Sequence, residues 1–186
     1  MLRKSTNQVS RPSRPRRGLI RRFRRDSKAA TAVEFGLVSV PFFALLFAIL
    51  ETFLLFFASQ SIETATDRAG RLIRTGQAQV GGLSEADFKA AVCDALNGLF
   101  NCEDGLIVDV RTYAQFTDVD LGQPIDEEGN LIDDTEYQPG EGGDIVVVRA
   151  FYEWPIHTNL LGLGLANLAN GKNLIAAATA FRNEPF

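Results

Sequence analysis

The sequence has few of the residues on which enzymes most often rely. Histidine occurs once in 186 residues, at His157, and the only cysteines are Cys93 and Cys102. A single imidazole leaves no second histidine for a paired zinc site, and no serine lies in a Gly-x-Ser-x-Gly motif. We therefore expect a protein that is not an enzyme and that holds no metal and no cofactor.

Acidic residues are nearly absent from the first 28 positions, and basic residues are scarce after them. Residues 1–28 carry eleven Lys or Arg and one acidic residue, Asp26, whereas residues 29–186 carry eight basic and twenty-two acidic residues. The two parts thus have net charges of +10 and −14, against −4 for the whole chain. A basic block beside an apolar segment is typical of a cytoplasmic flank. A nucleic-acid-binding arm is the alternative, but the apolar segment follows within a few residues, so we expect no nucleic acid.

One stretch is almost free of charge. Between residues 35 and 62 the only formal charge is Glu51. A helix of this length extends about 42 Å, which exceeds the roughly 30 Å hydrocarbon core of a bilayer. Pro41 removes one backbone hydrogen bond and predicts a kink. The pattern therefore predicts a single membrane-spanning helix.

A carboxylate lies at the start of this apolar run, at Glu34. Insertion scales assign such a charge a cost of roughly 2.5 to 3.5 kcal/mol at the bilayer centre and less near the interface. We therefore expect Glu34 to have a function. A cleaved secretory signal, with Ala58 and Ser59 as the small residues of its site, is the competing interpretation. The length of the run and its acidic residues Glu34 and Glu51 favour an anchor.

The pattern becomes amphipathic beyond the anchor. Apolar residues recur on one side at helical spacing, at Ile62, Ala65, Ala69, Leu72 and Ile73. Gly76 predicts the end of the helix. The sequence therefore predicts one helix of about 45 residues that leaves the bilayer and presents an apolar stripe to a globular domain.

The remaining residues predict a small α+β domain. Ser84 and Asp87 form a capping pattern ahead of a helix over 85–99. Three strands follow, over 106–116, 145–152 and 174–181, and we expect an antiparallel sheet on the helices. In the first strand, alternation places Asp109 on the polar side.

The predicted fold class is thus α+β, with a long transmembrane helix that continues as an amphipathic helix, then a small helix and a three-stranded antiparallel sheet. The predicted domains are a basic cytoplasmic leader over 1–29, the transmembrane and amphipathic helix over 30–78 and a domain on the opposite side of the membrane over 79–186.

Cys93 lies in the second predicted helix, and Cys102 follows it. If the side opposite the basic block is the bacterial periplasm or another oxidising space, a disulfide is the favoured state. Such a short loop would contribute on the order of 2 to 3 kcal/mol in the loop-entropy model.

Residues 118–144 carry ten acidic residues and no Lys or Arg. Their Gly and Pro content predicts a long, solvated surface loop. Calcium binding is the alternative, although the spacing of the carboxylates matches no known calcium loop. The candidate ligands are Asp118, Asp120, Asp126, Glu127, Glu128, Asp133 and Asp134.

The run from Arg25 to Pro41, RDSKAATAVEFGLVSVP, resembles the start of the TadE-like family of pilus-assembly pseudopilins. The segments RLIRTGQ at 71–77, YEWP at 152–155 and FRNEPF at 181–186 are similar to segments of many bacterial members. The resemblance implies that a prepilin peptidase cuts between Ala29 and Ala30 and leaves Glu34 as the fifth residue of the product. The family usually has Gly before the cut, where this chain has Ala29.

The resemblance also implies a pilin-like minor subunit or assembly factor of Flp/Tad-type type IVb pili. The implied partners are the bacterial inner membrane, the prepilin peptidase, other pseudopilins, the major Flp-type pilin and the inner-membrane assembly platform. The amino terminus would be cytoplasmic and the carboxy-terminal domain periplasmic. Pairing of Glu34 with the new amine of Ala30, in the same or a neighbouring subunit, would then set axial register. The rival interpretation is a membrane-anchored periplasmic binding module that never enters a filament.

Overall fold

Helix α1, Ser27–Arg74, is the longest element of the protein. The computed structural model describes residues 27–96, 98, 100–119, 121–132, 134–157 and 164–186. Residues 1–26 of the predicted leader lie outside this set, as do Asp120 and Asp133 of the candidate calcium ligands. The chain divides into two compact units between Leu45 and Leu46.

The first unit contains the apolar start of α1. Its large side chains are mostly exposed, and they include Phe35, Leu37, Val38, Val40, Phe42, Phe43 and Leu45. Pro41 lies inside the helix. Among the described residues, one helix, Thr31–Arg74, is long and apolar enough to cross a membrane. The predicted long apolar helix is therefore present, and its exposed apolar side chains are available to lipid or to other helices.

In the second unit, one side of α1 is buried against the rest of the domain. The buried side chains are Ala58, Ile62, Ala65, Thr66, Ala69 and Ile73. The hydroxyl of Thr66 donates to the carbonyl of Ile62 at 2.8 Å, which satisfies a polar group inside the core. The predicted apolar stripe is confirmed, except that Leu72 is only partly buried at its edge.

The end of α1 also agrees with the prediction. Gly76 adopts a left-handed conformation with φ of 75°, and a short helix α2 follows at Gln77–Gly81. Helix α3 then spans Glu85–Ala95, and its predicted cap is present. The Ser84 hydroxyl accepts from the backbone N–H of Asp87 at 3.2 Å, and the Asp87 carboxylate accepts from the backbone N–H of Ser84 at 3.0 Å. The Ser84 hydroxyl also donates to the Asp87 carboxylate at 2.6 Å, and this bond, followed by the one from the Ser84 N–H, lowers the pKa of Asp87.

The prediction that this helix continues to residue 99 is wrong. Leu96 has extended torsion angles, and its N–H bonds to the carbonyl of Cys93, which closes the last turn. Asn97 and Gly98 follow in the sequence, and both residue types are unfavourable inside helices. The apolar spacing over this segment continues beyond the point at which the backbone can remain helical.

Three antiparallel strands form one sheet in the order β1-β2-β3. Strand β1 is Leu106–Tyr113, β2 is Ile145–Pro155 and β3 is Lys172–Arg182; a four-residue helix α4, Cys102–Gly105, precedes β1. The central position of β2 and the antiparallel pairing confirm the predicted α+β fold. Strand β1 does not reach residue 116, because Phe116–Asp118 forms a 3₁₀ turn.

The two faces of the sheet bury different partners. One face packs on α1 and α3 and forms the main core, in which Phe88, Ile62 and Val110 are fully buried. The other face carries a smaller cluster in which Phe151 and Leu174 pack with Leu168, and Ile107, Ile125 and Leu131 lie against them. Part of the acidic segment is therefore packed on the sheet.

The same segment also covers the outer edge of β1. The N–H of Val110 donates to the carbonyl of Glu136 at 2.7 Å, and the N–H of Gln138 donates to the carbonyl of Val110 at 2.8 Å. Between them the ring of Tyr137 packs against Phe88, with centroids 5.8 Å apart. Residues 136–138 thus add a short parallel bridge to a region that the sequence predicts as loop.

Asp109 is only 1% exposed, although alternation along β1 predicts it on the polar side. Its carboxylate accepts from Arg149 Nη2 at 2.8 Å, from Arg111 Nε at 2.9 Å and from the N–H of Glu136 at 2.9 Å. The hydrogen bond to Asp109 is the main reason that the pKa of Arg111 lies above its usual value. The prediction fails because Arg149 lies opposite Asp109 in the ladder and the acidic segment covers this face.

Alkaline pH should destabilise the domain through Tyr137. Its hydroxyl is buried without a hydrogen-bond partner among the described residues, and burial, with smaller effects of Asp87 and Glu85, raises its pKa. Because the pKa of Tyr137 is higher in the folded than in the unfolded protein, its contribution to the free energy of unfolding is complete below the unfolded-state pKa of about 10. This contribution is lost as the pH rises through the folded-state pKa.

We expect the free energy of unfolding to fall less between about pH 9 and pH 11 in Tyr137→Phe than in the wild-type protein. Chemical denaturation of both proteins in detergent at several pH values measures this slope. Identical slopes for the two proteins would contradict the expectation.

Candidate functional site

The predicted processing site lies at the start of α1. Ala29 and Ala30 are in the first turns of this helix, and Glu34 follows Ala30 by four residues. Residues four apart lie on the same side of a helix, with Cβ atoms about 5 to 6 Å apart. The backbone therefore places Glu34 on the same side as position 30, one turn further along.

The surroundings of Glu34 are apolar. It is the only formal charge between residues 29 and 50, and its side chain is exposed. Its neighbours Val33 and Phe35 are also exposed. If this segment spans a membrane, its carboxylate faces lipid or another helix, where a cationic partner lowers its cost.

A second carboxylate of α1 has a clear structural partner. Glu51 is 7% exposed, and its carboxylate accepts a hydrogen bond from the backbone N–H of His157, just after β2. Sequence reasoning identifies Glu51 only as a charge that interrupts an apolar run. The structure shows that it ties the end of β2 to α1 within the second unit.

Glu34 lies near the start of a helix that is long and apolar enough to span a membrane. Residues 29–71 match the family of TadE-like proteins. This TadE-like segment covers 43 of the 186 residues and contains Glu34 and Glu51. The match confirms the resemblance predicted from the sequence. No curated protein and no solved structure matches the chain.

Downstream of the TadE-like segment, the predicted disulfide is present. Cys93 and Cys102 are bonded, with Cα atoms 5.8 Å apart. Aromatic side chains brace the loop that the bond closes: the ring of Phe100 packs edge-on against Tyr152 at 5.1 Å and Trp154 at 5.8 Å. The segment 152–155, which contributes to the resemblance, therefore supports the disulfide loop.

Two other segments of the resemblance, 71–77 and 181–186, contact each other. The N–H of Glu184 donates to the carbonyl of Arg74 at 2.8 Å, and their side chains lie 3.7 Å apart. The ring of Phe186 lies so close to Gly76 that a Cβ there would overlap it. The side-chain amide of buried Asn183 donates to the carbonyls of residues 139 and 141 at 2.9 and 3.0 Å. The carboxy-terminal residues thus close over the end of α1.

Gly76→Ala should loosen this closure. The substitution strains a left-handed backbone and also displaces the Phe186 ring, so we expect a loss of about 1 to 3 kcal/mol of unfolding free energy. Gly82→Ala is the matched control, because Gly82 has φ of 62° but no atom within 4 Å of a built Cβ. Thermal unfolding of both variants in detergent measures the difference. Equal losses would show that the Phe186 contact adds nothing.

The acidic segment shows no metal site in the part of the chain that the structure describes. No three His, Cys, Asp or Glu residues there lie close enough to hold an ion. Asp126 instead accepts from the backbone and side-chain nitrogens of Asn130, and these bonds lower its pKa. Within the described residues, this carboxylate stabilises a turn.

Proposed function

We propose that this protein is a pilin-like membrane protein that acts in the assembly of Flp/Tad-type type IVb pili, as a minor pseudopilin or assembly factor. The observation that carries the proposal is the TadE-like match over residues 29–71, which lies on one helix able to span a membrane and includes Glu34. The α+β domain that follows is compatible with a pilin-like architecture.

The proposed topology follows from charge and redox chemistry. The eleven basic residues among the first 28 favour a cytoplasmic amino terminus. The bonded cysteines favour an oxidising compartment for the domain beyond the membrane. Both features are consistent with a single-pass protein of the bacterial inner membrane whose domain lies in the periplasm.

In this proposal, a prepilin peptidase hydrolyses the peptide bond between Ala29 and Ala30. The reaction consumes one water, leaves a carboxylate on Ala29 and creates an ammonium group on Ala30. Two opposite charges 4 Å apart attract by about 4 kcal/mol at an effective dielectric constant of 20, against about 1 kcal/mol in water. Glu34 pairs with this amine in its own or a neighbouring helix and so sets the axial register of helices that pack through their apolar sides.

Processing itself is testable by intact-protein mass spectrometry of the membrane-extracted chain. We expect a mass that begins at Ala30 in cells that make pili. Ala29→Gly, which restores the usual residue of the family, should be cut at least as completely, whereas Ala29→Phe should remain uncut because the bulky side chain replaces a small one. A wild-type chain that retains Met1 in piliated cells would contradict processing.

Copurification separates the proposal from an anchored binding module. In detergent extracts of piliated cells, we expect the tagged full-length chain to bring down the major pilin. The matched control is the same tag on a chain with Glu34→Gln, which keeps size and shape but removes the charge and should recover less pilin. Failure of the wild-type chain to recover any pilin would favour the anchored module.

A further inference from the structure

A groove of about 400 Å³ lies between α1 and the outer edge of β3. Arg68, Arg71 and Arg74 line it on the helix side, and Thr179, Ala180 and Phe181 line it on the strand side. Helix and strand approach closely at its floor, because a Cβ added at Gly70 would lie 3.1 Å from both Thr179 and Phe181. The groove is therefore shallow and bounded by one helix and one strand.

The charge of this groove is opposite to that of the domain around it. Residues 29–186 carry only eight basic residues among twenty-two acidic ones, yet three of the eight line the groove. Asp67 is the one acidic residue of the lining, and Arg74 is 3.7 Å from Glu184. Arg68 and Arg71 are exposed and make no ion pair with any described residue. The groove is thus locally positive.

Among the described residues, the strand side of the groove presents backbone N–H groups that have no hydrogen-bond partner. The N–H of Asn183 donates to the carbonyl of Asp144, just before β2, and therefore points towards β2. The N–H of Leu174 donates to the side chain of Asn167, and that of Glu184 donates to the carbonyl of Arg74, so both point away from β2. Successive N–H groups of a strand point to opposite edges, so those of Ala176 and the other even-numbered residues of β3 point outward. In the described chain, β3 ends the sheet, whereas residues 136–138 cover the opposite edge at β1.

We propose that this groove binds an extended, acidic segment of another protein, which adds to β3 as a fourth strand. Added strands gain affinity from backbone hydrogen bonds and specificity from side chains at alternate positions. The three arginines span six residues of helix, or about 9 Å, which is the length of about three residues of a strand. A partner with carboxylates at positions i and i+2 therefore places both against α1.

The positive charge of the groove favours an acidic partner over a second copy of this chain. Pairing of two β3 edges brings the arginines of one copy towards those of the other, and like charges repel. Exposed, unguarded strand edges are rare in proteins that lack a partner for them. This inference rests on the groove alone and holds whether or not the chain enters a pilus.

Peptide binding to the full-length protein in detergent tests the charge component. The probe is a fluorescent nine-residue peptide of alternating Thr and Glu, and its control has Gln in place of Glu. We expect only the Glu peptide to bind, more weakly as salt rises. The double variant Arg68→Gln, Arg71→Gln should weaken binding by about fivefold. Lys172→Gln, a change of charge at the far end of β3, should leave it unchanged.

Ala178→Pro tests the strand edge. The substitution removes an outward N–H and keeps the bonds to β2, as edge strands tolerate. We expect loss of peptide binding with an unchanged circular dichroism spectrum. Equal binding of the Glu and Gln peptides, or unchanged binding by the double arginine variant, would overturn the proposal. A dimer in sedimentation that Ala178→Pro dissociates would also overturn it, because it would assign the edge to a second copy.

Discussion

Asp109→Asn is expected to destabilise the sheet domain by about 3 to 5 kcal/mol. The substitution preserves shape but removes the charge that pairs with Arg149 and Arg111, whose side chains are 11% and 23% exposed. Arg111 keeps Asp134 and Glu136 as partners at 3.2 and 3.8 Å, but loss of the buried charge nearest to both arginines, in a low-dielectric site, costs more than the pair contributes. Because typical domains are stable by only about 5 to 15 kcal/mol, this loss approaches global unfolding.

Glu153→Gln is the matched control for Asp109→Asn. It breaks the ion pair with Lys172, but these side chains are 24% and 44% exposed, so water replaces the lost contact. We expect a cost of less than about 1 kcal/mol. Chemical denaturation of the full-length chain in detergent, followed by near-ultraviolet circular dichroism, measures both. Similar losses for the two variants would show that the Asp109 pairs are no more valuable than a surface pair.

Glu34→Ala is expected to abolish pilus assembly and to leave the protein folded in the membrane. The side chain is exposed, so its truncation removes no core contact. Under the proposed function, its removal leaves the new amine of Ala30 without a partner among apolar side chains, and subunits lose their axial register. The loss should therefore be functional and not structural.

Glu34→Asp and Glu34→Gln distinguish charge from shape in this prediction. The aspartate keeps the charge on a shorter side chain and should retain part of the piliation, whereas the glutamine should resemble the alanine. Electron microscopy counts the pili, and the melting temperature of the domain in detergent reports on folding. Normal piliation with Glu34→Ala would remove the proposed role of this carboxylate.

Much of the fold was predictable because long periodic segments determine it. The apolar run, the stripe from Ile62 to Ile73 and the three strands each repeat one pattern over many residues. The end of α3 was not predictable from that pattern, since Leu96 keeps the apolar spacing after the backbone has become extended. Termination depends on the residues that follow, Asn97 and Gly98, whose types are unfavourable inside helices.

The side-chain pairs were harder to predict from the sequence, for a different reason. Alternation assigns a residue to one face of a strand but says nothing of what covers that face, so Asp109 was placed towards solvent. Its burial depends on strand register, which brings Arg149 opposite it, and on a segment some 27 residues away that bonds to it. The contact of Glu51 with His157 joins residues 106 positions apart and likewise has no local signal.

In the candidate sites, too, some residues could be predicted from the sequence and others could not. Glu34, Ala29 and Ala30 could be named from a local motif, and the TadE-like match includes all three. The groove beside β3 could not be predicted from a local motif, because it depends on the register of β3 and on the position of α1 relative to the edge of that strand. RLIRTGQ at 71–77 is the only local sign of it, through Arg71 and Arg74.

Deletion of the gene in its native host tests the central claim most directly. We expect cells without this protein to lack Flp/Tad-type pili by electron microscopy and to regain them when the full-length chain is supplied in trans. Unchanged numbers of pili in the deletion strain would contradict a role in their assembly.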